Sequence, residues 1–216
     1  MTPRYATVIF DADSTLATIE GIDWLGALRG PAVAQEIARL TAEAMDGRIS
    51  IDAAYAPRVA LIAPTGAELD ALSDAYVAAI VPEARETVRA LQDAGIRVII
   101  VSGGLEHALR PMAAQLGVAS DDLFAVRLRA DATGAFTAFA GPQLLATQVG
   151  KPQLVASLGL PRPILMVGDG STDAAVRGID GATFVAFTGV VRREAVVAQA
   201  DHVITSLADL LPLVFA

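Results

Sequence analysis

Ala6-Thr7-Val8-Ile9-Phe10-Asp11-Ala12-Asp13-Ser14-Thr15 runs from an apolar stretch of strand length straight into two carboxylates. An apolar run that stops on charge reads as a buried strand, and in open α/β sheets ligands bind beyond the carboxyl ends of the strands. The pattern returns at Ile164-Leu165-Met166-Val167, followed by the acidic turn Gly168-Asp169-Gly170-Ser171-Thr172-Asp173. With both runs in one sheet, four carboxylates converge on one edge, and unpaired acids in that number demand a cation.

Outward from these two runs, further strands are expected at 97–101, 183–187 and 202–204. Between them the sequence alternates into helices. Val81-Pro82-Glu83 opens one that Gly95 closes, with Ala84, Val88 and Leu91 on its apolar face. Others are expected over 104–117, 152–159 and 172–178. Strand-helix-strand alternation implies a mostly parallel sheet flanked by helices.

The interval from Leu16 to Ala79 breaks this rhythm: it shows no strand, although a parallel crossover needs only about a dozen residues. Its pieces read as helices over 23–29, 32–45, 51–62 and 67–80, separated by Gly30-Pro31, Gly47 and Pro64-Thr65-Gly66. The expected organisation is therefore a core of residues 1–15 and 80–216 and a helical insertion of residues 16–79 hanging over the end of the first strand. A smaller insertion over 125–140, turning at Asp131-Ala132-Thr133-Gly134, reads as a β-hairpin.

Composition narrows the chemistry. At 216 residues, 54% of them hydrophobic, the chain has enough apolar material for a well-buried core. A net charge of −8 without a basic cluster disfavours nucleic acid as a partner. Arg192-Arg193, the one basic pair of note, reads as solvated helix surface. The absence of cysteine removes thiol nucleophiles, disulfides and cysteine-ligated zinc. His107 and His202 lie far apart and read as packed or surface residues. No apolar span reaches transmembrane length and no signal segment opens the chain, so no membrane partner and a cytoplasmic location are expected, as a monomer or homodimer.

The convergent residues suit phosphoryl transfer. A carboxylate can attack phosphorus once both negative charges are screened, and Mg²⁺ accepts one or two carboxylates together with waters and a phosphate oxygen. Asp11 and Asp169 are the expected ligands, with the free oxygen of Asp11 as nucleophile. Asp13, two residues on and on the same side of an extended chain, is placed to protonate the leaving alkoxide and then to deprotonate the attacking water. Ser102-Gly103-Gly104, expected where a strand ends and a helix begins, offers a hydroxyl and backbone N–H groups to phosphate. Lys151 adds a permanent positive charge, which brings the assembled site to a net charge of about −1.

In this order the motifs resemble those of the haloacid dehalogenase-like phosphatases, and within them the phosphoserine phosphatase family. Asp11-x-Asp13-Ser14-Thr15 resembles the first motif, Ser102-Gly103-Gly104 the second, Lys151 the third and Gly168-Asp169-Gly170-x-Thr172-Asp173 the fourth. Glu20-Gly21-Ile22-Asp23, Met45 with Gly47, and Arg58-Val59-Ala60-Leu61-Ile62 look like the family's substrate-recognition segments. The resemblance implies a Rossmann-like core with a helical cap, an aspartyl-phosphate intermediate, and Mg²⁺ held by Asp11, the backbone carbonyl of Asp13, and Asp169. It also implies that Glu20 faces a substrate amine, Arg58 its carboxylate and Met45 the substrate stem, with Thr172 and Asp173 supporting the metal and Lys151. The small phosphomonoester is then O-phospho-L-serine, hydrolysed in the last step of serine biosynthesis. Asp46 between Met45 and Gly47, and Thr188-Gly189-Val190-Val191 in place of a Gly-Gly-Asn loop, depart from the pattern. Transfer of the phosphoryl group to another alcohol such as homoserine, and hydrolysis of a different small phosphate, remain open alternatives.

Overall fold

Strand β1 (Thr7–Phe10) is buried along its whole length and lies at the centre of a six-stranded sheet. In the computed structural model, which describes residues 3–45, 48–141 and 143–215, that sheet is parallel throughout and runs β3-β2-β1-β6-β7-β8. The strands are β2 (Arg97–Leu105), β3 (Leu123–Val126), β6 (Ile164–Gly168), β7 (Ala182–Phe187) and β8 (His202–Ile204). Val8 pairs with Val98 on one side and Leu165 on the other. Near-continuous Val, Ile and Leu in these strands is what a sheet covered on both faces requires.

The chain builds β2 and β3 to one side of β1 and then crosses to the other side for β6. The topological switch therefore falls between β1 and β6, where a crevice opens at the strands' carboxyl ends. Asp11 and Asp169 follow those two strands.

Between β1 and α5 (Ala84–Asp93) the described residues form α1 (Gly21–Ala27), α2 (Pro31–Met45), α3 (Ile51–Ile62) and α4 (Gly66–Ala78). The chain leaves and re-enters the sheet layer through a narrow neck. Ala17 and Ile80 form an antiparallel bridge, and Val81 N–H donates to the Leu16 carbonyl at 2.9 Å. Ser50 caps α3, and Thr65 with Glu68 forms a capping box on α4, so two of the starts are fixed by local side-chain chemistry. Helix α4 packs on α6 (Glu106–Gln115), which seats the helices against the sheet layer.

Several local expectations are corrected. The second strand extends past Val101 to Leu105, so Ser102-Gly103-Gly104 lies in an irregular strand segment, where the register with β3 shifts, and α6 starts only at Glu106. Two glycines disfavour regular pairing without ending the strand. The hairpin is shorter than 125–140: Ala125 and Val126 belong to the core strand β3, and β4 (Leu128–Ala130) pairs with β5 (Phe136–Phe139). A single residue, Arg127, separates the two apolar runs, so they read as one. The expected helix over 172–178 divides into α8 (Ser171–Ala174) and a 3-10 turn. Pro82 precedes its helix rather than opening it, because Glu83 takes a left-handed conformation, φ 63°, ahead of Ala84. The remaining helices are α7 (Gly150–Ser157), α9 (Glu194–Val197) and α10 (Leu210–Val214), and no helix among the described residues is long and apolar enough to cross a membrane.

Candidate active site

The end of β1 hands the chain to Asp11, whose backbone N–H still bonds the Val167 carbonyl of β6 at 2.9 Å. The strand ladder thus fixes this carboxylate's root. Its Oδ1 accepts from Ala12 N–H at 2.7 Å, and its Oδ2 lies 2.9 Å from Lys151 Nζ. Lys151 projects from the first turn of α7 and is buried, with its ammonium also 2.6 Å from Asp173 Oδ1. Asp173 is fully buried, and its other oxygen accepts from Gly170 N–H at 3.0 Å. Only glycine fits at 168, since a Cβ there would lie 2.2 Å from the Asp173 carboxyl carbon. Asp169 accepts from the Thr15 hydroxyl at 3.3 Å.

Carboxylate oxygens of Asp11, Asp169 and Asp173 lie within 4.8 Å of one another, and all three residues are buried. Burial draws the Lys151 ammonium down, but Asp11 and Asp173 outweigh it and hold its pKa above the usual lysine range. Burial and the Asp11 charge push Asp173 upward despite Lys151. Lys151 answers Asp11 and Asp173, and Arg193 pairs with Asp169, so three clustered acids face two cations and one negative charge is left over. An all-oxygen donor set with charge left over fits a hard divalent cation.

Beyond Asp11 the chain turns instead of staying extended as expected, and Asp13 lies in that turn. Its Oδ1 accepts from Gly21 N–H at 3.0 Å and from the Tyr76 hydroxyl at 2.5 Å. Enclosure pushes its pKa up to about 8, with the Glu20 and Asp11 charges acting the same way and the two donors opposing. A carboxyl in that range stays protonated at neutral pH, as a general acid must. The turn itself requires Ser14 at φ 51°, and its hydroxyl donates to Glu20 Oε1 at 2.6 Å.

The helical segment supplies the opposite wall of a cavity of about 100 Å³. Glu20, just ahead of α1, has its pKa raised by burial, with Ser14 and Arg193 opposing. Arg58 of α3 is buried and donates from Nη1 to the Thr41 hydroxyl at 3.0 Å, while Thr41 donates to Asp23 at 3.3 Å. The guanidinium carbon sits 5.5 Å from the Tyr55 ring centroid, and the Tyr55 hydroxyl donates to the Gly103 carbonyl at 2.6 Å.

Of the residues singled out from sequence, Asp11, Asp13, Glu20, Arg58, Gly103, Lys151, Asp169 and Thr172 line this one cavity. Asp173 sits behind Lys151. Ser102 is fully buried, and its hydroxyl accepts from Gly104 N–H at 3.0 Å within its own turn. Gly47, the neighbouring Asp46 and the side chain of Met45 lie outside the described residues.

Arg193 is a correction: its side chain is only 24% exposed, it ion-pairs with Asp169, and it lies 3.7 Å from Glu20. It is a cavity residue rather than solvated helix surface. The signal available was charge: five acids and two cations in the expected site leave room for a third cation. Tyr76 was also missed, although Leu69, Leu72 and Tyr76 share a face of α4, and a tyrosine on a buried face needs a partner for its hydroxyl. His107 is half exposed and pairs with Asp70 at 2.8 Å, away from the cavity.

The haloacid dehalogenase-like hydrolase family model matches residues 5–176, which spans all four motifs from Asp11 to Asp173. A Bos taurus phosphoserine phosphatase is 33% identical over 207 residues, covering 94% of this chain and 91% of that one. The chloroplastic phosphoserine phosphatase of Arabidopsis thaliana is 33% identical over 208 residues, covering 94% and 70%. The crystal structure of a phosphoserine phosphohydrolase-like protein from Francisella tularensis subsp. tularensis SCHU S4 superposes with a TM-score of 0.87 at 26% identity, covering 96% of this chain and 98% of that one. A match that runs the length of the sheet and its inserted helices, on a chain whose strand ends carry this acid-lysine cluster, places it in a family: the chain belongs to the haloacid dehalogenase-like hydrolases, within their phosphoserine phosphatase family.

Proposed function

We propose that the chain is a Mg²⁺-dependent phosphomonoesterase that hydrolyses O-phospho-L-serine to L-serine and phosphate through an aspartyl-phosphate on Asp11, the reaction that ends serine biosynthesis. The observation that carries this reading is the placement of Asp11 Oδ2 2.9 Å from the Lys151 ammonium, in a cavity that Asp13 also lines. Asp11, the backbone carbonyl of Asp13, and Asp169 would hold the metal, which when bound screens the charge between nucleophile and phosphate.

In the first half-reaction an Asp11 carboxylate oxygen forms the bond to phosphorus while the phosphorus–ester oxygen bond breaks. The departing oxygen takes the proton of Asp13, which becomes a carboxylate. In the second, Asp13 accepts a proton from water as the water oxygen bonds phosphorus, and the electrons of the Asp11–phosphorus bond return to Asp11. Asp13 ends protonated, as it began. Lys151 stays charged throughout and holds the Asp11 oxygens and the transferring group together.

Substrate choice rests on the helical wall. Glu20 and Arg58 line the cavity with opposite charges, which suits a zwitterion carrying an ammonium and a carboxylate. Thr41 and the Tyr55 ring keep the Arg58 guanidinium in one place, so less freedom is lost when a carboxylate docks.

A steady-state panel of phosphoserine, phosphothreonine and other small phosphate esters, assayed for free phosphate, tests the reading. Phosphoserine is expected to have the highest kcat/KM, and preference for an ester without an amino-acid moiety would overturn it. Adding homoserine separates hydrolysis from transfer, because transfer would yield phosphorylated homoserine in place of free phosphate.

A further inference from the structure

One oxygen of Asp13 carries two donors, the Tyr76 hydroxyl at 2.5 Å and the Gly21 N–H at 3.0 Å. A carboxyl oxygen already accepting two hydrogen bonds is not where the acidic proton sits. That leaves Oδ2, which lies on the side of Gly104, where a Cβ would be 3.0 Å from it, so the glycine leaves this oxygen room; Asp13 itself lines the cavity.

The donor is itself built into the fold. Tyr76 is fully buried on the face of α4 that carries Leu69 and Leu72, and its ring has no solvent to turn into. Its hydroxyl passes over Gly21, where a Cβ would lie only 2.1 Å from the hydroxyl oxygen. The missing side chain at 21 is therefore what allows the hydroxyl to reach Asp13. Burial holds the phenol well above its ordinary pKa, so it remains a donor. The first residue of α1 and a residue near the end of α4 thus meet on a single oxygen of the acid.

We propose that Tyr76 is a positioning residue for the reaction: together with the Gly21 N–H it keeps Asp13 Oδ1 as an acceptor and so presents the acidic proton on Oδ2, toward the ester oxygen. The proposal rests on the reading of Asp13 as the general acid. In the step concerned, the Asp13 Oδ2–H bond breaks, the proton joins the ester oxygen as that oxygen takes the electrons of its bond to phosphorus, and Asp13 is left anionic.

The test uses Tyr76→Phe, which removes only the hydroxyl, and two esters that differ in leaving group but carry neither amine nor carboxylate: phenyl phosphate and para-nitrophenyl phosphate. The ratio of their kcat/KM values reports the first half-reaction alone and is insensitive to Glu20 and Arg58. Because the more basic phenolate depends more on a proton donor, the ratio of phenyl to para-nitrophenyl ester is expected to fall about fivefold to tenfold. A purely structural role would lower both values together, so a ratio within about twofold of the parent overturns the proposal.

Asp13→Asn is measured alongside. If it too keeps the parent ratio, the acid role of Asp13 itself fails; if it lowers the ratio while Tyr76→Phe does not, only the role of Tyr76 fails. Should Tyr76→Phe not fold, Gly21→Ala, whose methyl displaces the hydroxyl, must lower the same ratio, and an unchanged ratio there overturns the proposal.

Discussion

The two walls of the cavity are built differently. At the strand ends, two of the acids are tied to backbone, Asp11 to Ala12 N–H and Asp173 to Gly170 N–H, beside a strand paired in unbroken register on both sides. On the helical side the shorter ties run between side chains, Arg58 to Thr41 at 3.0 Å and Glu20 to Ser14 at 2.6 Å, with a longer one from Arg58 Nε to the Ala54 carbonyl at 3.3 Å. Bond-making chemistry tolerates displacements of only a fraction of an ångström, whereas recognition of a flexible zwitterion tolerates more. On the proposed reading, the rigid wall holds what attacks phosphorus and the helical wall holds what selects, while Tyr76 and Gly21 reach across from the helical side to the acid Asp13.

The largest effect should follow from removing the cation of the rigid wall. Lys151→Ala leaves Asp11 and Asp173 buried without their shared ammonium, and phosphate release is expected to fall by about a thousandfold or more. Lys151→Arg should not rescue it, because a planar fork cannot occupy a site shaped for a point charge between two carboxylates. Excess chelator should abolish turnover of the parent and added Mg²⁺ restore it. Persistent turnover in chelator would break the comparison, since the acid cluster would then need no cation.

A smaller and more selective loss is expected on the other wall. Arg58→Ala should raise the phosphoserine KM by about tenfold to a hundredfold, the range for losing one charged hydrogen-bonded contact. KM for para-nitrophenyl phosphate, which lacks a carboxylate, should move much less. Equal losses on both substrates would mean that Arg58 takes part in the chemistry and not only in selection.

The same division explains what the sequence made legible. Asp11, Asp169 and Lys151 were readable because each lies at a fixed offset from a strand end or helix start, and parallel pairing of β1 with β6 then brings them together. The strand β3 was hidden because Leu123–Val126 runs into the hairpin with one residue between. Arg193 was misread because its neighbours Asp169 and Glu20 are supplied by other elements, and nothing in the local pattern around Arg192-Arg193 records them. Tyr55 and Tyr76 sit at ordinary buried positions of their helices. Their hydroxyls matter only because the neck at Ala17 and Ile80 lays those helices over the strand ends, a placement set by long-range packing.

The smallest expected effect concerns how the helical wall is held together. Arg29, just beyond α1, makes a two-pronged pair with Glu68 of α4 at 2.6 Å on each prong, and its Nε donates to the Ile62 carbonyl at the end of α3. Glu68 also accepts from Thr65 N–H at 2.8 Å as half of the capping box. The Arg29 hydrogen bonds, with the Thr65 contacts, hold the Glu68 pKa down at about 2, against an ordinary 4.5. A carboxylate depressed by folding stabilises the native state above its ordinary pKa, and that contribution drains away as pH falls from 4.5 toward 2. Glu68→Gln should therefore lower stability by about 1 kcal/mol at neutral pH, the size of a partly exposed pair plus a cap. Denaturant melts of parent and variant should differ at pH 7 and converge toward about pH 2.5. A difference that is the same at both pH values would show that the carboxylate charge contributes nothing. One of several kcal/mol would make the helical wall as tightly fixed as the strand ends, and the contrast between selecting and reacting walls would then have to rest on something other than rigidity.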